Sequence, residues 1–141
     1  NKVLDTILTA KTLQCQNQGI SLTCVADGEA IEFMHPMDIT ALFGNALDNA
    51  IESVKKIADP EKRLIHMVVS RQKNFLRIKV ENCYEGTLEF ENGMPKTTKL
   101  DKKFHGYGMK SIKTIVEKYS GSVTVLAKDG WFELRILISR E

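Results

Sequence analysis

Asn45 and Asn49 stand four residues apart, and Glu52 and Lys56 continue the same stripe. At 3.6 residues per turn these four share a narrow sector of a helix, opposite Phe43, Leu47 and Val54. By default such a sector is a solvated polar face. Asparagine, however, is a mediocre helix former that prefers caps and turns, so two of them in phase cost stability without a structural return. Carboxamide oxygens are also hard ligands of the kind Mg²⁺ accepts beside its waters and substrate phosphates. Asn45 and Asn49 are therefore a candidate pair for holding a metal–nucleotide, without the mutual repulsion of two carboxylates.

Gly106-Tyr107-Gly108 is the second chemical feature. It directly precedes another amphipathic segment. Glycine lets backbone approach a ligand closely, and the N–H groups and dipole of a helix start favour phosphate. A glycine pair before a helix is also an ordinary turn. The preceding stretch adds weight: Lys96, Lys99, Lys102 and Lys103 lie close together, with Thr97 and Thr98 between them. Leading into such a helix start, they read as a phosphate-contacting lid rather than a solvated charge run. His105, at the junction, is a candidate phosphate contact or a shaper of the turn. His66 and His35 receive no chemical role.

These groups need elements to position them. Residues 1–18 read as a helix ended by Gly19, and Ile20–Val25 alternates as a strand before a turn at Asp27-Gly28. The asparagines lie on a predicted helix over 38–58, with Asp38 as its cap after Pro36 and Asp59-Pro60 as its end. Leu64–Arg71 and Phe75–Glu81 read as strands. Residues 83–105 carry no sustained period and read as a long mobile loop, a feature usually tied to function. Residues 108–119 return to helix, and 123–138 form a hairpin about Asp129-Gly130. The order β-α-β-β-loop-α-β-β predicts an α/β two-layer sandwich, a mixed sheet with helices on one face.

The bulk composition excludes several alternatives. The chain has 141 residues, 43% of them hydrophobic, enough for one compact domain with a real core. A net charge of +2 gives no case for a nucleic-acid partner. Three scattered cysteines, Cys15, Cys24 and Cys83, form neither a disulfide framework nor a zinc pattern, and free thiols suit a reducing cytosol. No apolar run approaches the ~18 residues that span a bilayer, and no signal peptide is visible. The chain begins without methionine inside a helix, as a fragment of a longer protein would.

Together the segments resemble the GHKL ATP-binding superfamily of gyrase-type topoisomerases, chaperones, mismatch-repair ATPases and histidine kinases. Leu42-Phe-Gly-Asn45-Ala-Leu-Asp-Asn49-Ala-Ile-Glu-Ser53 resembles its N box, and His105-Gly-Tyr-Gly108-Met-Lys-Ser-Ile112 its G2 box. The likeness is strongest to sensor kinases typified by Gram-positive peptide quorum sensors, through Thr97-Thr98-Lys99 to His105-Gly106 and on to Ile115-Val116-Glu-Lys-Tyr119-Ser-Gly121. The resemblance implies a GHKL (Bergerat-type) ATPase fold binding ATP and Mg²⁺. It places Asn45 and Asn49 on metal and phosphate, and Lys99, His105, Gly106, Tyr107, Gly108 and Met109 around the nucleotide. At the G1 box, Val80-Glu81-Asn82-Cys83-Tyr84-Glu85-Gly86 departs from the usual D-x-G-x-G. Asn82 stands where an aspartate accepts from the adenine amino group, and of the glycines Gly86 remains. A neutral acceptor is weaker than a carboxylate, which implies modest affinity.

Superfamily members that hydrolyse ATP carry a glutamate base where this chain has Asn45, and a carboxamide cannot take a proton from water. The resemblance thus implies ATP held for transfer to a histidine. None of the three histidines lies on the first helix, so the acceptor is expected on a separate dimerisation domain of the same kinase, with 1–18 as the end of that helix region and 19–141 as the catalytic domain. It further implies a response regulator as partner, a cytoplasmic placement in a membrane-anchored sensor, and a monomeric isolated fragment. Two other readings stand beside it: a serine kinase of the anti-sigma-factor type, and a non-catalytic nucleotide-binding regulator.

Overall fold

The computed structural model describes residues 1–85, 90–91, 94–95 and 107–140. The first helix, α1 (Lys2–Asn17), is capped by Asn1, whose side chain accepts from the Leu4 N–H at 3.0 Å. It ends in a Schellman motif. Gly19 turns left-handed at φ 67°, Ile20 N–H reaches the Cys15 carbonyl at 2.8 Å, and Gly19 N–H the Gln16 carbonyl at 3.3 Å. Leu4 and Cys15 are buried in the core, and Val3, Ile7 and Leu8 pack against it.

Strand β1 (Ser21–Ala26) follows, then a short 3-10 turn at Gly28–Ile31 whose Asp27 cap accepts from Glu29 N–H. Helix α2 (Pro36–Val54) starts earlier than the sequence reading placed it. Its cap is His35, whose Nδ1 accepts from Met37 N–H at 3.1 Å. Proline belongs at the first helical position, so the cap must precede Pro36; Asp38 sits within the first turn. The helix also stops sooner, at Val54. Lys56 therefore lies past the helix end and does not continue the asparagine stripe. Ile57 is still buried, because the turn after α2 folds it back into the core.

Ile39, Leu42, Phe43, Ala46, Leu47, Ala50, Ile51 and Val54 form the buried face of α2. Full burial of a side chain of the Leu or Ile class is worth roughly 1.5–3 kcal/mol, so this stripe is what holds the asparagine face in place.

Strands β2 (Leu64–Gln72), β3 (Phe75–Cys83), β6 (Ser122–Lys128) and β7 (Trp131–Ser139) complete one sheet with β1, in the order β1-β2-β3-β7-β6. β1 pairs parallel to β2, as its crossover through α2 requires, and the other pairings are antiparallel. Ile65, Met67 and Val69, Leu76, Ile78 and Val80, and Leu134, Ile136 and Ile138 point into the core. The opposite face carries Arg77, Lys79 and Arg135. The helices α1, α2 and α3 (Tyr107–Lys118) cover the inner face, giving the expected two-layer mixed-sheet sandwich.

Within the predicted loop, Phe90–Glu91 (β4) pairs antiparallel with Met94–Pro95 (β5). The hairpin between β6 and β7 turns at Asp129 (φ 54°) and Gly130 (φ 81°), as the Asp-Gly pair predicted. Gly121, just past α3, lies close against β7. A Cβ there would lie 2.6 Å from the Leu137 carbonyl oxygen and 2.7 Å from Ile138 Cγ1.

Candidate functional site

The buried stripe of α2 faces the sheet, which turns Asn45 and Asn49 toward the start of α3. The two helices pack directly. Asn45 Nδ2 donates to Ser111 Oγ at 3.1 Å. That bond engages the amide's donor end and sends its oxygen end away from the hydroxyl. Asn49 lies against Gly108: a Cβ at Gly108 would stand 3.0 Å from Asn49 Oδ1 and 3.4 Å from Nδ2. The missing side chain at 108 is thus the space the Asn49 amide uses. Glycine here serves close approach rather than an unusual backbone angle.

Asn49 Nδ2 is buried and has no hydrogen-bond partner among the described residues. Leaving such a donor unsatisfied costs about 1–3 kcal/mol. A phosphate oxygen would satisfy it, and carboxamide oxygens beside it are suitable ligands for a hard divalent cation. The donor chemistry of the pair therefore fits a metal–phosphate group.

Asn82 ends the inner-facing series of β3 and is 2% exposed, the one buried polar residue among the described core positions. Its Nδ2 donates to the Cys83 carbonyl at 2.8 Å. The donor end is spent locally, leaving the oxygen end as an acceptor. A buried acceptor at a strand end beneath α2 has the chemistry needed to receive an exocyclic amino group.

A cleft of ≈ 350 Å³ opens beside the asparagines, lined by Lys11 and Gln14 from α1 and by Asn45, Asp48, Asn49 and Glu52 from α2. Lys11 Nζ pairs with Asp48, and Lys55 Nζ pairs with Glu52 at 2.7 Å.

Away from the cleft, a polar clamp joins the far ends of α2 and α3. The Tyr119 hydroxyl accepts from His35 N–H at 3.0 Å and donates to the Asp38 carboxylate, and Lys118 Nζ reaches that carboxylate at 2.8 Å. The Lys118 ammonium first, then the Tyr119 hydroxyl, hold the Asp38 carboxyl below its usual range. Burial first, then the bond to Asp38, push the Tyr119 phenol up, so the hydroxyl keeps its proton. The clamp fixes how α3 lies on α2, and hence where Gly108 meets Asn49.

Of the residues singled out from sequence, Asn45, Asn49 and Gly108 are brought together. Asn82 is buried under the same helix layer. Tyr107 begins α3, and Met109 packs partly buried against the core, so its contribution includes holding the helix down. Gly86, Lys99, His105 and Gly106 fall outside the described residues. Ser111 and Lys11 were not anticipated. Ser111 had a signal available, lying one turn after Gly108 on the side that faces α2.

Residues 34–139 match the family model described as the GHKL domain. The chain belongs to the GHKL family. Among curated proteins, this GHKL domain is 26% identical over 136 residues to a probable C4-dicarboxylate sensor kinase of Halalkalibacterium halodurans, matching 89% of this chain and 24% of that kinase. It thus spans about a quarter of the relative's length. Among solved structures, it superposes on the nucleotide-free catalytic domain of the histidine kinase ThkA with a TM-score of 0.74 at 16% identity, covering 99% of this chain and 91% of the other. Full-length ShkA in complex with AMPPNP gives 0.64 at 12% identity, covering 97% of this chain and 29% of that one. At such identities these likenesses show the fold. No helix among the described residues is long and apolar enough to cross a membrane.

Proposed function

We propose that this GHKL domain is the ATP-binding catalytic part of a two-component sensor histidine kinase. It holds Mg-ATP for phosphoryl transfer to a histidine on a separate dimerisation domain. The observation that carries the reading is the seating of Asn49 against Gly108 with a buried, unpartnered amide donor. The similarity to a sensor kinase across 89% of the chain supports it.

In this reading Asn45 and Asn49 hold the metal and the phosphates, Ser111 orients Asn45, and Asn82 accepts from the adenine amino group. Gly108 opens the helix start to the phosphates, with Gly106, Tyr107, Lys99, His105 and Gly86 completing the surround. The metal ion, when bound, neutralises phosphate charge. The chain's own residues position the nucleotide and exclude hydrolysis: Asn45 offers an amide where a hydrolytic enzyme needs a carboxylate base. Phosphoryl transfer asks mainly for positioning and charge neutralisation, which this inventory supplies. Segment α1 is where the dimerisation helices would join, and it packs into the same core. The acceptor helices and a response regulator are the proposed partners, within a membrane-anchored sensor of the peptide quorum-sensor branch.

The test is transfer in trans. The domain, γ-labelled ATP and Mg²⁺ are incubated with and without the purified acceptor-helix domain of the same protein. Label is expected on the acceptor and not on this chain. Stable label on this chain, or none on an intact acceptor, overturns the proposal.

A further inference from the structure

Helix α1 carries an inversion. Its inward stripe runs Leu4, Ile7, Lys11, Cys15 at helical spacing. Leu4 and Cys15 are buried and Ile7 packs against the core, so the repeat asks for an apolar residue at 11. Instead the Lys11 side chain points in, with only 20% of it exposed, while Leu13 is left 57% exposed. A lysine placed so must run its stem along apolar surface and deliver its ammonium to a chosen spot. That spot is the cleft between α1 and α2, beside Asn45 and Asn49.

Its partner there is Asp48, whose side chain is 52% exposed. Ion pairs this open to solvent are worth roughly 0–1 kcal/mol, little reason to spend an inward position on a lysine. The cleft's charge offers a better one. Its lining includes two carboxylates, Asp48 and Glu52, and Lys11 is the one cation among the described lining residues. A metal-bound nucleotide remains an anion. Bringing its phosphates to Asn45 and Asn49 past Asp48 and Glu52 requires a compensating positive charge at that end, and Lys11 is already delivered there by the helix.

We propose that Lys11 binds the β- and γ-phosphates of the nucleotide in this cleft, exchanging Asp48 for phosphate oxygen. The inference rests on the nucleotide-binding reading above and deepens it. It also makes α1 part of the binding site, so that any displacement of α1 withdraws a phosphate contact.

The test is isothermal titration of the domain with Mg-ATP, Mg-ADP and AMP, with thermal melts of each variant. Lys11→Met is expected to weaken Mg-ATP and Mg-ADP about tenfold or more, the loss of one charge-assisted contact, and to leave AMP nearly unchanged. Lys11→Arg is expected to restore most of the affinity. Asp48→Asn is expected to tighten Mg-ATP, because it releases Lys11 and removes a repelling carboxylate. A purely structural Lys11–Asp48 tie would make Lys11→Met and Asp48→Asn weaken binding alike. That result, or wild-type affinity in Lys11→Met, overturns the proposal. If Lys11→Met melts too low to titrate, Lys11→Gln takes its place. A wild-type domain that binds no nucleotide would sink the nucleotide reading itself, and is thereby distinguished from a failure of Lys11 alone.

Discussion

Gly108→Ala probes the contact on which the site depends. The added Cβ would stand 3.0 Å from Asn49 Oδ1 and 3.4 Å from Nδ2. Ordinary carbon–oxygen contact is longer, so the amide must yield by a few tenths of an ångström. Backbone angles offer no resistance, since Gly108 does not occupy the left-handed region. In the first turn of α3 alanine even gains up to about 1 kcal/mol of helix propensity over glycine. The substitution therefore separates fold from function. A hydrogen bond to a charged group is worth roughly 1.5–3 kcal/mol, so weakening the Asn49 contact by about half should cost about tenfold in Mg-nucleotide affinity. The melting temperature is expected to stay level or rise. Displacement of a fluorescent ATP analogue, alongside a thermal melt, reads both quantities. Undiminished affinity in a folded Gly108→Ala variant would refute the reasoning, because Asn49 could then be moved without consequence.

Four other expectations follow from particular contacts. Gly44 lies in mid-α2 with open space where a Cβ would go, so Gly44→Ala should stabilise by roughly 0.5–1 kcal/mol in a urea titration; destabilisation would contradict the placement. Tyr119→Phe removes two hydrogen bonds at the α2–α3 clamp and should cost about 1–2 kcal/mol by the same titration. Asp38 has a lowered folded-state pKa, so its contribution is present above the unfolded value of about 3.9 and lost as pH falls through the lowered one. The stability advantage of wild type over Asp38→Asn should therefore be flat near neutrality and vanish in acid. Gly121→Ala, which would press on the Leu137 carbonyl and Ile138, should lower the melting temperature more than any of these.

Much of this architecture was legible because the chain obeys simple periods. The α2 stripe, the alternating β2 and β3, and the Asp129-Gly130 turn each follow from local sequence. The boundaries of α2 did not. His35 and Asp38 are both able to cap, and Pro36 decides between them only once it is fixed at the first helical position. Ile57 continued the apolar stripe in sequence, yet a turn, not the helix, buries it. The sheet order β1-β2-β3-β7-β6 arises from non-local pairing that no local pattern encodes.

The site was half legible. Two asparagines in phase stand out because they violate helix preference. Ser111 stands one turn after Gly108, a spacing visible in the sequence, but what it does there shows only once Asn45 is seen to reach it. Lys11 carries no signal in the sequence alone; the exposed Leu13 and the inward Lys11 show which way the helix is turned.

The most direct test titrates Mg-ATP into the wild-type domain and into Asn49→Ala, each with and without excess chelator. Wild type is expected to bind only with the metal present, and Asn49→Ala to lose that metal-dependent affinity while remaining folded. Equal affinity in the two proteins, or binding indifferent to the metal, would contradict the claim that the asparagine pair grips a metal-bound triphosphate.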